Sequence, residues 1–295
     1  EIRLSLVGSE MCIRDRTAMR PRPIRKDDTL KIIQITDTHL VKPGRVVNGV
    51  DPELQLRRAL DDIFVRHADA DLLVITGDLC NDGEPEAYAL LREILSDVPF
   101  PVRLMLGNHD RRPAFVDAFP DHPVDRHGYV QSSVDTVYGR LLFLDTHEAG
   151  TIGGIYGADR LAWLDDALAG AGSRPVTVFV HHPPVHDGLA HFRHIGLHDD
   201  GALMARLAAH AGGVRHIVFG HIHVPLAGTT AGGIAFSSGQ SCAHRFITDL
   251  DAPDPWWTGG NPCYRILMLD EHGFRAYGAE VGEARLAQAE ICAGP

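Results

Sequence analysis

The chain has 295 residues, 44% of them hydrophobic, enough for a sizeable core in one large domain or two small ones. Its longest apolar runs are strand-length, which excludes a helical membrane span and predicts a soluble protein. The net charge is −11, and the residues after position 31 hold −14 of it, so the body is too acidic to track a nucleic-acid backbone.

Residues 1–29 have neither a helical nor a strand period. They read as a leader foreign to the fold, with Met19 as a candidate start and no apolar segment of the signal-peptide kind. A first strand is expected over 30–36. Asp51-Pro52 then supplies an N-cap with Pro at the first helical position, and Leu56, Ala59, Leu60, Ile63, Phe64 and His67 follow at helical spacing. A strand over 72–76, a helix over 84–95 and a strand over 102–106 complete an alternation that predicts a largely parallel, buried sheet. Segments 129–137 and 140–145 alternate about Tyr138-Gly139 as a hairpin. A helix over 159–168, a strand over 176–180, a His-rich loop over 188–200, a helix over 202–210 and a strand over 217–219 come next. Segments 224–230, 234–238, 264–270 and 274–279 read as antiparallel strands, with an irregular loop over 252–262 that holds Trp256 and Trp257. The fold class is α/β, one domain of two packed sheets over 30–281, followed by a tail from residue 282.

Five predicted strands end alike. They run into Asp37-Thr38-His39, Gly77-Asp78, Gly107-Asn108-His109-Asp110, His181-His182 and Gly220-His221-Ile222-His223. Core packing gives no reason for Asp, Asn and His to recur there. Ligands of parallel α/β sheets gather at the carboxyl ends of strands, so these endings can converge on one site. The donor set mixes nitrogen and oxygen without thiolate. It suits Mn²⁺, Fe, Co²⁺ or Zn²⁺ better than Mg²⁺ or Ca²⁺. Two Asp, one Asn and four His are too many for one tetrahedral ion and fit two ions that share a carboxylate.

In this order, across residues 30–280, these motifs resemble the signature of the calcineurin-like metallophosphoesterases. The His181-His182-Pro183-Pro184 run, the loop from Gly188 to Ile195-Gly196-Leu197, and Pro262-Cys263-Tyr264-Arg265 are similar to the class III cyclic-nucleotide phosphodiesterases and their glycerophosphodiesterase relatives. The resemblance implies a four-layer α-β-β-α sandwich of two mixed sheets flanked by helices. It implies that Asp37, His39 and His223 hold one metal, that Asn108, His181 and His221 hold a second, and that Asp78 bridges them. His181 rather than His182 is the expected ligand, because it stands where the resembling families place theirs, and His182 is then expected either to support the ligands from behind or to face substrate.

The expected chemistry follows from charge. Two divalent ions, set against Asp37, Asp78 and a bridging hydroxide, leave an excess of about one positive charge, a match for a phosphodiester monoanion. The hydroxide would attack phosphorus in line, with Asn108 helping to hold the phosphoryl oxygens. His109 is expected to stabilise the transition state or protonate the leaving alkoxide, and Asp110 to orient it. Candidate substrate contacts are Asn108, His109, His182, Phe192 and Arg193. His186, His191, His194 and His198 either line the pocket or belong to a solvated lid. Trp256 and Trp257 form a subunit contact, a pocket wall or a buried pair, and His244 falls near the rim. Cys80 reads as buried and inert. Five scattered Cys without a C-x-x-C suggest reduced thiols and a cytoplasmic protein, with a Cys242–Cys263 pair left open.

The favoured substrate is a 3′,5′-cyclic nucleotide such as cyclic AMP, ahead of glycerophosphodiesters and phosphomonoesters. Self-association through the C-terminal part is implied by the resemblance. A non-catalytic scaffold of this fold is the rival reading, but such members lose ligands and this chain keeps all seven. A nuclease subunit lacks support, since no basic aromatic stripe is present.

Overall fold

The computed structural model describes residues 29–282, so the expected leader to residue 28 and the tail from residue 283 lie outside the described residues. Strand β1 (Leu30–Ile35), helix α1 (Pro52–Arg66), β2 (Leu72–Thr76), α2 (Pro85–Leu95) and β3 (Val102–Met105) alternate as expected. Helix α3 (Arg112–Ala118) follows, then the hairpin β4 (Ser132–Thr136) and β5 (Gly139–Phe143). Next come short β6 (Gly154–Ile155), α4 (Ala158–Ala171), β7 (Val176–Phe179), short β8 (Leu197–His198), α5 (Asp200–Ala209) and β9 (Val214–Phe219). The remainder is strand: β10 (Leu226–Thr229), β11 (Ala235–Ser238), short β12 (Arg245–Phe246) and β13 (Trp257–Thr258), and the long hairpin β14 (Cys263–Asp270) and β15 (Gly273–Glu280).

The strands form two large mixed sheets, ordered β15-β14-β1-β2-β3 and β10-β11-β9-β7-β5-β4. Each strand's alternation assigns its two faces. Ile33 and Ile35 of β1 and Leu73 and Ile75 of β2 pack with Leu56 and Leu60 of α1 and Leu91 of α2. Ile32, Val74 and Met105 point the other way, against Phe143, Phe179 and Val218 of the second sheet. That sheet turns Leu142, Val178 and Ile217 toward Leu164 of α4 and Leu203 and Leu207 of α5. The result is the α-β-β-α sandwich. Helix α1 begins as expected, since Asp51 accepts a hydrogen bond from the Leu54 N–H at 3.1 Å and Pro52 opens the first turn.

Three expectations change. The late strands divide between the sheets, and β11 runs parallel to β9 although antiparallel to β10. Alternation reveals a strand's two faces but not its partner's direction. Helix α3 was not expected, because seven residues with one buried side chain, Phe115, are too few to show a period. The His-rich loop contains a 3₁₀ turn at Ala190–Phe192 and the β8 strand, which pairs with β6. Cys80, Cys242 and Cys263 are buried thiols, so the Cys242–Cys263 disulfide is not formed. No helix among the described residues is long and apolar enough to cross a membrane.

His122 ties β3 down. Its Nε2 accepts the Leu104 N–H at 3.1 Å, and its ring packs edge-on against Phe115. Burial, with Arg103 nearby, lowers its pKa from 6.5 to about 4. Folding therefore favours the neutral ring, and the resulting stability is present above pH 6.5 and lost as pH falls toward 4. This one group is expected to remove on the order of 3 kcal/mol over that window. Thermal melts of His122→Gln between pH 7 and 4 should show a shallower decline than the native chain. Equal slopes would assign the acid sensitivity elsewhere.

Candidate metal centre

All five polar endings lie at the carboxyl ends of β1, β2, β3, β7 and β9, on one rim of the sandwich. Those after β1, β2 and β9 leave their strands abruptly. Asp37, His39, Asp78, His221 and His223 all have left-handed backbones, with φ between 45° and 69°. Residues other than Gly seldom take that conformation, and each costs on the order of 1 kcal/mol or more. The glycines among them make room. A Cβ on Gly77 would lie 2.3 Å from His181 Nδ1, and one on Gly220 would lie 2.1 Å from Thr36 Oγ1. Sequence spacing alone does not expose this strain.

The side chains meet at this rim. Asp37, His39, Asp78 and His223 each offer a donor atom within 4.8 Å of the others. His39 Nε2 faces His223 Nε2 at 3.2 Å and Asp78 Oδ2 at 3.7 Å. His223 Nε2 lies 3.5 Å from Asp37 Oδ1. Across Asp78, His181 Nε2 lies 3.4 Å from Asp78 Oδ2 and 3.4 Å from Asn108 Oδ1. His181, His182 and His221 form a second group of the same compactness.

Hydrogen bonds set the ring tautomers. His181 Nδ1 donates to the Thr76 carbonyl at 2.8 Å, and His223 Nδ1 donates to the His244 carbonyl at 2.9 Å. Each Nε2 then turns a lone pair toward the centre. His221 Nε2 is buried without a hydrogen-bond partner among the described residues. Lone pairs facing one another and facing carboxylate oxygens repel unless a proton or a metal cation lies between them. The donor set therefore fits divalent ions.

Burial keeps His39 well below its usual pKa, and burial with His181 nearby lowers His221 to about 3, so both rings are neutral donors. Burial also opposes ionisation of Asp78, but His181 and His109 outweigh it and hold the carboxylate well below its ordinary range. His181 is raised to about 9, because Asp78 outweighs the burial that works against a charged ring, so without a cation its Nε2 holds a proton facing Asp78, and a metal would displace that proton to reach the lone pair.

The remaining expected site residues sort by placement. His109 lies on the rim of a 440 Å³ cavity over the centre. Its N–H donates to Asp78 Oδ1 at 2.9 Å, and its Nδ1 lies 2.7 Å from the Asn81 carbonyl. Among the described residues the Asp110 carboxylate makes no hydrogen bond to the His109 ring, contrary to its expected orienting role. Its carboxylate accepts from the N–H groups of Gly107, Leu79 and Cys80 and from the Tyr88 hydroxyl, which fixes the turn itself. Burial and the neighbouring Asp78 push Asp110 up to about 7.

His182 packs against His181 and His221 rather than facing substrate. It is fully buried, with Nδ1 at 2.7 Å from Thr146 Oγ1 and Nε2 at 3.2 Å from the Ile152 carbonyl, so neither ring nitrogen is free for substrate. Phe192 lines the cavity and packs edge-on against His221. Arg193 is exposed and lines a separate surface recess with His186, His194 and His198, and only His191 of the loop histidines reaches the cavity.

Among the cavity residues missed or left undefined are Asn81, His244, Phe246 and Trp257. His244 is buried with no hydrogen-bond partner for either ring nitrogen among the described residues, and its ring lies 4.8 Å from those of His39 and His223. Trp257 packs on Phe246 and His244, while Trp256 stays exposed. These residues lie on short strands and loops without period. Asn81, three positions after Asp78, had the one available signal.

Two mixed sheets that direct Asp, Asn and His from their strand ends to one rim define a metal-dependent hydrolase of the phosphoester type. The calcineurin-like phosphoesterase family matches residues 30–225, and the chain belongs to that family. A Rhodopseudomonas palustris protein named "Probable cyclic nucleotide phosphodiesterase" is 36% identical over 76% of this chain and 82% of its own. The "Glycerophosphodiester phosphodiesterase GpdQ" of Enterobacter lignolyticus is 30% identical over 65% of this chain and 70% of its own. Among solved structures, a dimetal phosphatase from Danio rerio superposes with a TM-score of 0.62 at 15% identity, covering 88% of this chain and all of that one, a likeness of fold.

Proposed function

We propose that this phosphoesterase is a binuclear phosphodiesterase acting on a small diester, with a 3′,5′-cyclic nucleotide as its substrate class. The observation that carries the binuclear reading is the position of Asp78, whose Oδ2 stands between His39 Nε2 at 3.7 Å and His181 Nε2 at 3.4 Å. Asp37, His39 and His223 would hold one divalent ion, Asn108, His181 and His221 the other, with Asp78 common to both. When bound, such ions supply positive charge against the phosphoryl oxygens and a nucleophile near neutral pH. Asn108 and His109 both line the cavity, where they would face the phosphoryl group. His109 is the proton donor to the leaving alkoxide, and its Nδ1 bond to the Asn81 carbonyl orients the ring.

The aromatic wall favours a nucleotide over a glycerol diester. Trp257, Phe246 and Phe192 line one side of the cavity beside His223 and His244. Flat rings there would stack on a base, and the names borne by the Rhodopseudomonas relative and by GpdQ divide over the same two substrate classes. Residues 30–281 form the catalytic domain.

The test is hydrolysis of cyclic AMP, glycerophosphocholine and bis(p-nitrophenyl) phosphate after stripping and restoring Mn²⁺. Turnover of the nitrophenyl diester should require the metal, and cyclic AMP should exceed glycerophosphocholine. Trp257→Ala should narrow that preference by raising KM for cyclic AMP alone. Preference for glycerophosphocholine would reassign the substrate class, and metal-independent turnover would overturn the mechanism. His109→Ala should keep its metal content while kcat falls about 10²-fold. Loss of metal from that variant would make His109 a ligand.

A further inference from the structure

A second cavity, of 720 Å³, opens as a wedge between β10–β11 of one sheet and β14–β15 of the other. It shares no lining residue with the cavity over the metal centre. Arg265 of β14 lies along it, with only 7% of its surface exposed. Nη1 donates to Gln34 Oε1 at 3.0 Å, and Nη2 donates to the Ser237 hydroxyl. A guanidinium has more N–H donors than these two partners take.

No carboxylate pairs with Arg265 among the described residues. Glu280 also lines the wedge, but it is engaged by Arg245 and Asn261. Burial alone, unopposed by any neighbouring charge, lowers Arg265 to about 10. A buried cation without a countercharge is costly, and folds normally supply one.

The surroundings are built for this side chain. A Cβ on Gly239 would lie 2.4 Å from Arg265 Cδ, so only glycine leaves room for the stem. Ser237 is held on its other side by His216 Nε2 at 2.7 Å, and the His216 ring stacks on Phe274 at 4.0 Å. With His216 kept neutral by burial and by Arg265, the Ser237 O–H donates to that nitrogen and its oxygen stays available to the guanidinium.

We propose that the wedge is a second ligand site, in which Arg265 binds the oxyanion end of a small molecule, a phosphate ester or a carboxylate. The missing countercharge is then the ligand. The site is independent of the metal centre and of the substrate assigned above.

The test is calorimetric titration of sodium sulfate and, separately, sodium succinate into the Mn²⁺-loaded full chain at fixed ionic strength. One anion should bind per chain, and the tighter of the two identifies its oxyanion type. Arg265→Gln should weaken it about tenfold or more, through loss of the charge-assisted pair. Ala227→Glu, an exposed position on the wedge, leaves the Arg265 hydrogen bonds intact and should weaken it comparably by supplying a competing carboxylate. That variant decides the question if Arg265→Gln fails to fold. Asn108→Ala should leave the anion affinity unchanged. Absence of binding, indifference to Ala227→Glu, or loss of binding in Asn108→Ala would overturn the proposal, the last by moving the anion to the metal centre.

Discussion

Asp78→Ala is expected to abolish metal content and activity together. Asp78 reaches both groups of donors, since its Oδ2 faces His39 and His181 while Oδ1 accepts the His109 N–H. Removing it takes away the common carboxylate and frees the turn that carries His109. We expect kcat/KM to fall on the order of 10³-fold or more. Metal bound per chain, measured by plasma mass spectrometry, should drop from about two to below one. Asp78→Asn, which keeps the shape and removes the charge, should fail almost as completely. Full activity at normal metal content in either variant would refute the shared carboxylate.

Gly107→Ala should be nearly as damaging, although it alters no donor. The added methyl carbon would lie 2.2 Å from Asp78 Oδ1, 2.5 Å from the Asp78 nitrogen and 2.5 Å from His181 Nε2. The backbone and two side chains must all move, and overpacking of this kind costs about 1–3 kcal/mol. Displacement of Asp78 and His181 is expected to lower activity about 10²-fold and to weaken metal binding. Gly201→Ala is the control. It lies in α5 with open space around its Cβ, and should leave activity intact and melting unchanged or slightly raised. A Gly107→Ala chain that binds metal normally would show that the cradle is more forgiving than its distances.

Much of this was legible in the sequence, for physical reasons that differ by element. The buried strands were plain because an apolar run of five has few alternatives, and β2 is buried at every position. Helix α1 was plain because Asp51-Pro52 marks its start. The metal-centre residues could be found because an Asp or His at the end of an apolar strand conflicts with packing. Asp110 and His182 show where that reasoning stops. A motif places a residue near the centre but does not say whether its side chain turns inward, and both turn away to satisfy backbone or hydroxyl groups. Trp257 and Phe246 were undefined because the wall they form comes from two-residue strands with no period. Arg193 was misplaced because its neighbour Phe192 takes the inward position of a single 3₁₀ turn.

The donors come from both sheets, Asp37, His39, Asp78 and Asn108 from one and His181, His221 and His223 from the other. An ion held among them is therefore also a clasp across the mouth of the sandwich. Its contribution would grow by about 1.4 kcal/mol for each tenfold rise in free metal above the dissociation constant. Metal supply would then govern how long the chain survives as well as how fast it works. Cells short of the ion would lose the protein to unfolding and proteolysis, in addition to losing its turnover.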